Sequence, residues 1–322
     1  MHWLDRASGL ALARTPGDRR VFRDGWGDED DLEWFREIAG TEPPIADVPI
    51  TVQPATADGA VVATEIEFDS PIAERLPERA RRARARILTT REGTQRVVVL
   101  MAAWNDHDYR TRMTLAELLL SRGIGVAMLE NPFYGSRRPV VDDPQPMRDV
   151  ATFGLMGRAT VLEGRVLAKH LHDVGHTVGI SGFSMGGNMA AFVASMVPFA
   201  VASAPLAAAH SPGPPFVSGI LGVTVDWEAL GGDDPDTRAR LEEHLLLASV
   251  TRFDPPLRPD AAVMVAGTVD GYVPTAAVQA VHRHWPGSEL DWVNVGHGAL
   301  IWRRKERLVD GITRSFARLA DG

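Results

Sequence analysis

Gly182-Phe183-Ser184-Met185-Gly186-Gly187, preceded by the apolar run Val178-Gly179-Ile180 and followed by Asn188-Met189-Ala190-Ala191-Phe192-Val193, decides how this chain folds. It reads as a strand, a sharp turn with a serine at its tip, and a helix: a nucleophile elbow of the form Gly-x-Ser-x-Gly. A serine held on a strained turn needs neighbours without side chains, so that the backbone folds tightly and Oγ stays open to substrate. The helix behind it points free N–H groups at the same spot. Glycine and serine are common residues, so the motif carries weight only if partners for the serine follow.

A serine hydroxyl needs a base to take its proton and a third group to orient that base. Behind an elbow the order is Ser, then acid, then His. Ala262–Gly267 reads as a strand running into Thr268-Val269-Asp270-Gly271, which sets Asp270 at a strand's carboxyl end, where open α/β sheets build their sites. Leu290–Asn294 is a second strand-like run, followed by Val295-Gly296-His297-Gly298. Taken singly, Asp270 reads as a turn-forming Asp-Gly and His297 as a loop histidine. Three candidates behind strands in the required order predict the catalytic set Ser184, Asp270 and His297. Among the ten histidines, His172 and His176 are four apart, but Gly175 intervenes and no carboxylate completes a ligand set, so no metal and no other cofactor is expected.

An oxyanion hole needs two N–H donors aimed at the developing charge. Met185, next after the serine, is expected to supply one. Trp104, in the loop Ala103-Trp104-Asn105-Asp106-His107 after a central strand, is expected to supply the other. Asp106 and His107 are expected to brace that loop, and Glu130 is a rival carboxylate for the place beside His297.

The net charge of −8 argues against general nucleic-acid binding, and the absence of cysteine removes any dependence on an oxidising compartment. No Asp, Glu, Lys or Arg lies between His176 and Asp226, yet glycines, Pro198 and serines break this stretch. It reads as buried strand, helix and strand rather than a transmembrane segment. The N-terminus lacks a signal-peptide layout, so a cytoplasmic location is expected. Arg79, Arg81, Arg82, Arg84 and Arg86 read as a solvated face rather than a phosphate site. Arginine- and alanine-rich composition is that of a high-GC bacterium.

Residues 1–46 read as an N-terminal extension with a short helix. Strands are expected at Val48–Val52, Val61–Phe68, Arg84–Thr90, Arg96–Ala102, Ile124–Leu129 and Phe199–Ser203, and helices at Met113–Ser121 and Met156–His172. The alternation implies an α/β fold, a mostly parallel central sheet with helices on both faces, built from residues 47–204 and 260–322. From 205 to 259 it lapses, with a loop at His210–Pro215 and a helix at Asp236–Val250. This insertion enters after a central strand and leaves before the acid's strand, so it is expected to lie over the site as a cap.

The elbow, acid and histidine context resembles the α/β-hydrolase superfamily, as does Glu130-Asn131-Pro132-Phe133-Tyr134-Gly135-Ser136, in which Phe133 stands where a glycine is usual. Gly25-Trp26-Gly27 before an acidic helix, Asp106-His107, Gly154-Leu155-Met156-Gly157, Ser218-Gly219-Ile220-Leu221 and Val225-Asp226-Trp227 resemble the α/β-hydrolase domain-containing protein 18 group. The resemblance spans most of the chain. It implies an α/β-hydrolase fold and a serine hydrolase of carboxylic esters or thioesters, with a small-molecule ester or acyl-lipid substrate. A peptidase or acyltransferase with the same residues, or a non-catalytic binding protein of this fold, are the other readings; substrate and oligomeric state stay open.

Overall fold

The computed structural model describes residues 1–321. Ten strands form one sheet: β1 (Thr51–Val52), β2 (Thr56–Asp58), β3 (Val61–Asp69), β4 (Arg82–Thr90), β5 (Arg96–Met101), β6 (Ile124–Glu130), β7 (Thr177–Phe183), β8 (Ala202–Leu206), β9 (Val263–Gly267) and β10 (Glu289–Val293). The helices are α1 (Trp3–Leu12), α2 (Glu29–Ile38), α3 (Arg110–Ser121), α4 (Val150–Asp173), α5 (Met185–Ser195), α6 (Gly213–Val217), α7 (Trp227–Leu230), α8 (Pro235–Leu246), α9 (Thr275–His284), α10 (His297–Arg303) and α11 (Lys305–Ala320).

The strand order is β1-β3-β4-β6-β5-β7-β8-β9-β10, with β2 also on β3. From β6 to β10 every pairing is parallel; β1 to β4 are antiparallel and join through β4 to β6. The β-branched run of β5 explains its central place, because a strand covered on both faces must be apolar on both. Val97, Val99 and Met101 face the core beneath α4 and α5, whereas Val98 and Leu100 face the one beneath α3 and α11. The arginines of β4 pair with acids of β3 across the antiparallel edge: Arg82 and Arg84 with Glu67, Arg86 with Glu65.

A third core, built from Phe22, Leu32, Phe153, Met156, Phe216, Trp227 and Leu241 among others, joins the N-terminal extension to the segment between β8 and β9. Helix α4, 24 residues long and capped where Asp149 accepts from the Thr152 N–H at 2.7 Å, belongs to two cores. Its first half packs in this third core and its second half, through Val161, Val166 and Leu167, beneath the sheet. At about 1.5 Å per residue it spans roughly 36 Å.

Several elements differ from their sequence reading. Strand β8 lies at Ala202–Leu206 instead of Phe199–Ser203, because Phe199 stacks on His172 (4.2 Å between ring centroids) outside the sheet. Only Thr51–Val52 of the strand expected over 48–52 pairs; Val48 and Ile50 turn to the core beneath α4 and α5. The extension holds two helices, α1 and α2, at different sites. The uncharged run from 176 to 226 contains β7, α5 and β8, and no helix among the described residues is long and apolar enough to cross a membrane.

Candidate active site

Ser184 sits between β7 and α5 with φ 58° and ψ −119°. This is a left-handed backbone costing a non-glycine residue about 1–3 kcal/mol. Its N–H donates to the Leu206 carbonyl at 2.8 Å. The flanking glycines are forced by close approach. A Cβ on Gly182 falls 2.5 Å from the Gly186 carbonyl, one on Gly186 2.3 Å from the Met101 oxygen, and one on Gly187 2.7 Å from the Leu206 oxygen. Strain collects along this edge of the sheet. Asn105 and Tyr109 after β5, Phe133 after β6, Ser184 after β7 and Ala207 after β8 all have positive φ; among the non-glycine residues described, only Phe22 lies elsewhere.

Asp270 follows β9, and its Oδ1 accepts from the N–H groups of Tyr272 (2.8 Å) and Val273 (2.9 Å). Its Oδ2 lies 2.6 Å from His297 Nδ1 at the head of α10, and both side chains are buried. A carboxylate on Nδ1 leaves Nε2 to exchange a proton. Tyr272 stacks on the imidazole at 4.9 Å and Phe183, next to the serine, meets it at 4.7 Å. The elbow and the acid loop share a pocket of about 440 Å³ lined by Trp104, Phe153, Ser184, Met185, Phe216 and Val273. A second, apolar pocket of about 560 Å³ adjoins it through the common residues Phe153, Met189 and Pro212.

Met185 opens α5, where first-turn N–H groups have no carbonyl within the helix. The Trp104 ring packs on Phe216 (5.4 Å) and Phe153 (6.0 Å), while the Asn105 N–H beside it is taken by the Tyr134 hydroxyl at 3.3 Å. Asp106 is buried and accepts from Arg112 Nε at 2.7 Å; Arg112 also donates to the carbonyls of Leu100 and Leu129, tying the loop to β5 and β6. His107 packs on Tyr134, and burial, then Arg138, lower its pKa to about 4. Glu130 is not beside His297: its carboxylate accepts the Ser136 N–H (2.6 Å) and hydroxyl (2.8 Å). Just behind it, Arg137 and Glu163 form a fully buried two-pronged pair at 2.7 Å.

Sequence reasoning missed Asp5 and Tyr272 beside the histidine and Phe153 in the pocket wall. Phe153 lies in a helix and Asp5 far from any motif, so neither carries a local signal; Tyr272, two residues past the acid, was within reach of a closer reading.

Comparison with known proteins agrees with this architecture. The family described as Alpha/beta hydrolase domain containing 18 matches residues 19–249 and 236–318. Among solved structures, acetyl xylan esterase 1 from a Thermoanaerobacterium species superposes with a TM-score of 0.61 at 14% identity, covering 94% of this chain and 99% of that one. An acetyl xylan esterase from a Paenibacillus species gives 0.59 at 12% identity, over 94% and 98%. The α/β hydrolase GrgF from a Penicillium species gives 0.56 at 13%, over 80% and 99%. At such identities these likenesses show the fold alone.

Proposed function

The chain belongs to the Alpha/beta hydrolase domain containing 18 family, and from that premise we propose that it is a serine hydrolase of carboxylic esters or thioesters, acting on acyl lipids. The observation that carries the reading is the strained Ser184, which lines a pocket together with Val273 of the loop that carries the buried His297–Asp270 pair, held at 2.6 Å.

In this mechanism His297 Nε2 takes the Ser184 hydroxyl proton as Oγ attacks the acyl carbon. Asp270 fixes the tautomer and stabilises the imidazolium. The N–H groups of Met185 and Trp104 hold the developing oxyanion. The imidazolium then protonates the leaving oxygen or sulfur, and the acyl-enzyme forms. Water, deprotonated by the same histidine, releases the acid and frees Ser184. The segment 205–259 serves as the cap: Pro212, Pro215, Phe216 and Leu221 wall the pocket. An apolar wall and an apolar pocket next door favour an acyl chain over a peptide or sugar, since each buried methylene contributes about 0.8 kcal/mol.

A fluorophosphonate probe tests the nucleophile and a panel of p-nitrophenyl esters the pocket. The probe should label Ser184 and not Ser184→Ala, and kcat/KM should climb from acetyl toward medium-chain esters. Absence of labelling would favour a binding protein; a preference for acetyl would remove the acyl-lipid reading and leave the esterase.

A further inference from the structure

The acid loop and the histidine loop meet at a third group that the reaction does not use. Asp5 of α1 is 1% exposed, and its Oδ2 accepts from the N–H groups of Gly271 (2.9 Å) and His297 (3.0 Å). Its Oδ1 faces the Gly298 N–H at 3.4 Å. A carboxylate so far from water is stable only where charge-assisted hydrogen bonds replace its hydration, and here the donors are the residues immediately flanking Asp270 and including His297. Two further ties hold α1 to the same loop: the His2 N–H donates to the Val269 carbonyl at 2.8 Å, and the Ser8 hydroxyl bonds the Tyr272 hydroxyl.

The glycines beside the two catalytic candidates point the same way. Neither Gly271 nor Gly296 has positive φ, so neither is needed for its backbone conformation. A Cβ on Gly296 falls 2.4 Å from Asp5 Oδ2 and 2.4 Å from His2 Cβ; one on Gly271 falls 2.7 Å from Ile220 Cδ1, 2.9 Å from Met1 Cγ and 3.2 Å from Asp5 Cβ. Gly296 is small because Asp5 and His2 occupy the space, and Gly271 because Ile220, Met1 and Asp5 do.

We propose that Asp5 is a positioning residue: its carboxylate clamps the two loops so that imidazole and acid keep their register. This rests on the serine-hydrolase reading.

The test compares the full chain with Asp5→Ala and Asp5→Asn on a short p-nitrophenyl ester, together with amide hydrogen exchange at Gly271 and His297. Asp5→Ala should lower kcat roughly 10²-fold with KM unchanged, the scale of a slight misplacement of reacting groups, and both amides should lose protection. Asp5→Asn keeps an oxygen acceptor and removes the charge. It should recover most of kcat and of the protection at both amides. Wild-type kcat and protection in Asp5→Ala would overturn the proposal, and so would an Asp5→Asn variant no better than Asp5→Ala. If Asp5→Ala fails to fold, Gly296→Ala decides instead, because its Cβ would fall on the Asp5 carboxylate: wild-type kcat and protection there would overturn the proposal. Should the wild-type chain neither turn over esters nor react with a fluorophosphonate, the hydrolase reading falls, and exchange at the two amides still decides whether Asp5 clamps the loops.

Discussion

The elbow and the two loops that face it are held in opposite ways. Ser184 is fixed by its immediate neighbours: Gly182, Gly186 and Gly187 let β7 turn into α5 against the Met101 and Leu206 carbonyls. Asp270 and His297 are fixed from a distance, since Asp5 stands 266 residues before Gly271 and 292 before His297. Errors at the first should break the sheet, whereas errors at the second should break alignment and leave the sheet whole.

Substitutions on either side test that difference. The largest effect should come from Ser184→Ala, which on the proposed mechanism removes the nucleophile: turnover should fall on the order of 10⁶-fold with an unchanged thermal midpoint, because the members of a catalytic triad act as a unit. Turnover persisting near the wild-type rate would displace the elbow from the chemistry altogether. Gly186→Ala should act on the fold instead. Its Cβ would press on backbone of β5, 2.3 Å from the Met101 oxygen, and denaturant unfolding should register a loss of about 3 kcal/mol, the cost of overpacking.

Acid should loosen α8 before the elbow. His244 is buried beside Trp26 and Phe35, with its Nε2 unpartnered among the described residues; burial, then Arg36 and Arg240, hold its pKa down to about 4. The unfolded chain takes this proton near pH 6.5, so it binds more protons than the folded one between about 6.5 and 4. Stability contributed by neutral His244 is therefore whole above that window and falls by about 3 kcal/mol as pH drops through it. His244→Phe should flatten the slope in urea titrations at several pH values; an unaltered slope would assign it to another group.

Gly296→Ala should cost rate rather than fold. Its Cβ collides with Asp5 and His2, not with the sheet, so kcat should drop roughly tenfold while the unfolding midpoint barely moves. The smallest effect belongs to its near neighbour. A Cβ on Gly298 meets nothing within 4 Å, and alanine there, in the first turn of α10, should leave rate intact and add up to about 1 kcal/mol of stability. Equal losses at Gly296 and Gly298 would dissolve the distinction between the two kinds of support.

What could be read from the sequence follows the same division. The elbow was legible because strand, glycine turn and helix are consecutive, and the acid and histidine because each follows its own strand. The apolar run of β5 marked the centre of the sheet for the same local reason. Gly296 was visible as a glycine, but its purpose was not: it makes room for Asp5 and His2, which lie far away in the sequence. Asp5 lies in Trp3-Leu4-Asp5-Arg6, where an acid ordinarily faces water, and nothing nearby marks it as buried. The antiparallel edge was half legible. Long β3 and β4 alternate clearly, whereas two-residue β1 and three-residue β2 exist only because β3 offers them a partner.

The position of α1 has a consequence for how the molecule is made. It leaves the ribosome well before the loops it ties together, since Gly271 and His297 follow Asp5 by 266 and 292 residues. At about 5–20 residues per second, the 292 residues between Asp5 and His297 take roughly 15–60 s to translate. In the later part of that interval, once Ser184 has been made, a nascent chain carries the elbow but has no His297 loop for Asp5 to grip. Clamping of the two loops is thereby deferred until His297 has been made.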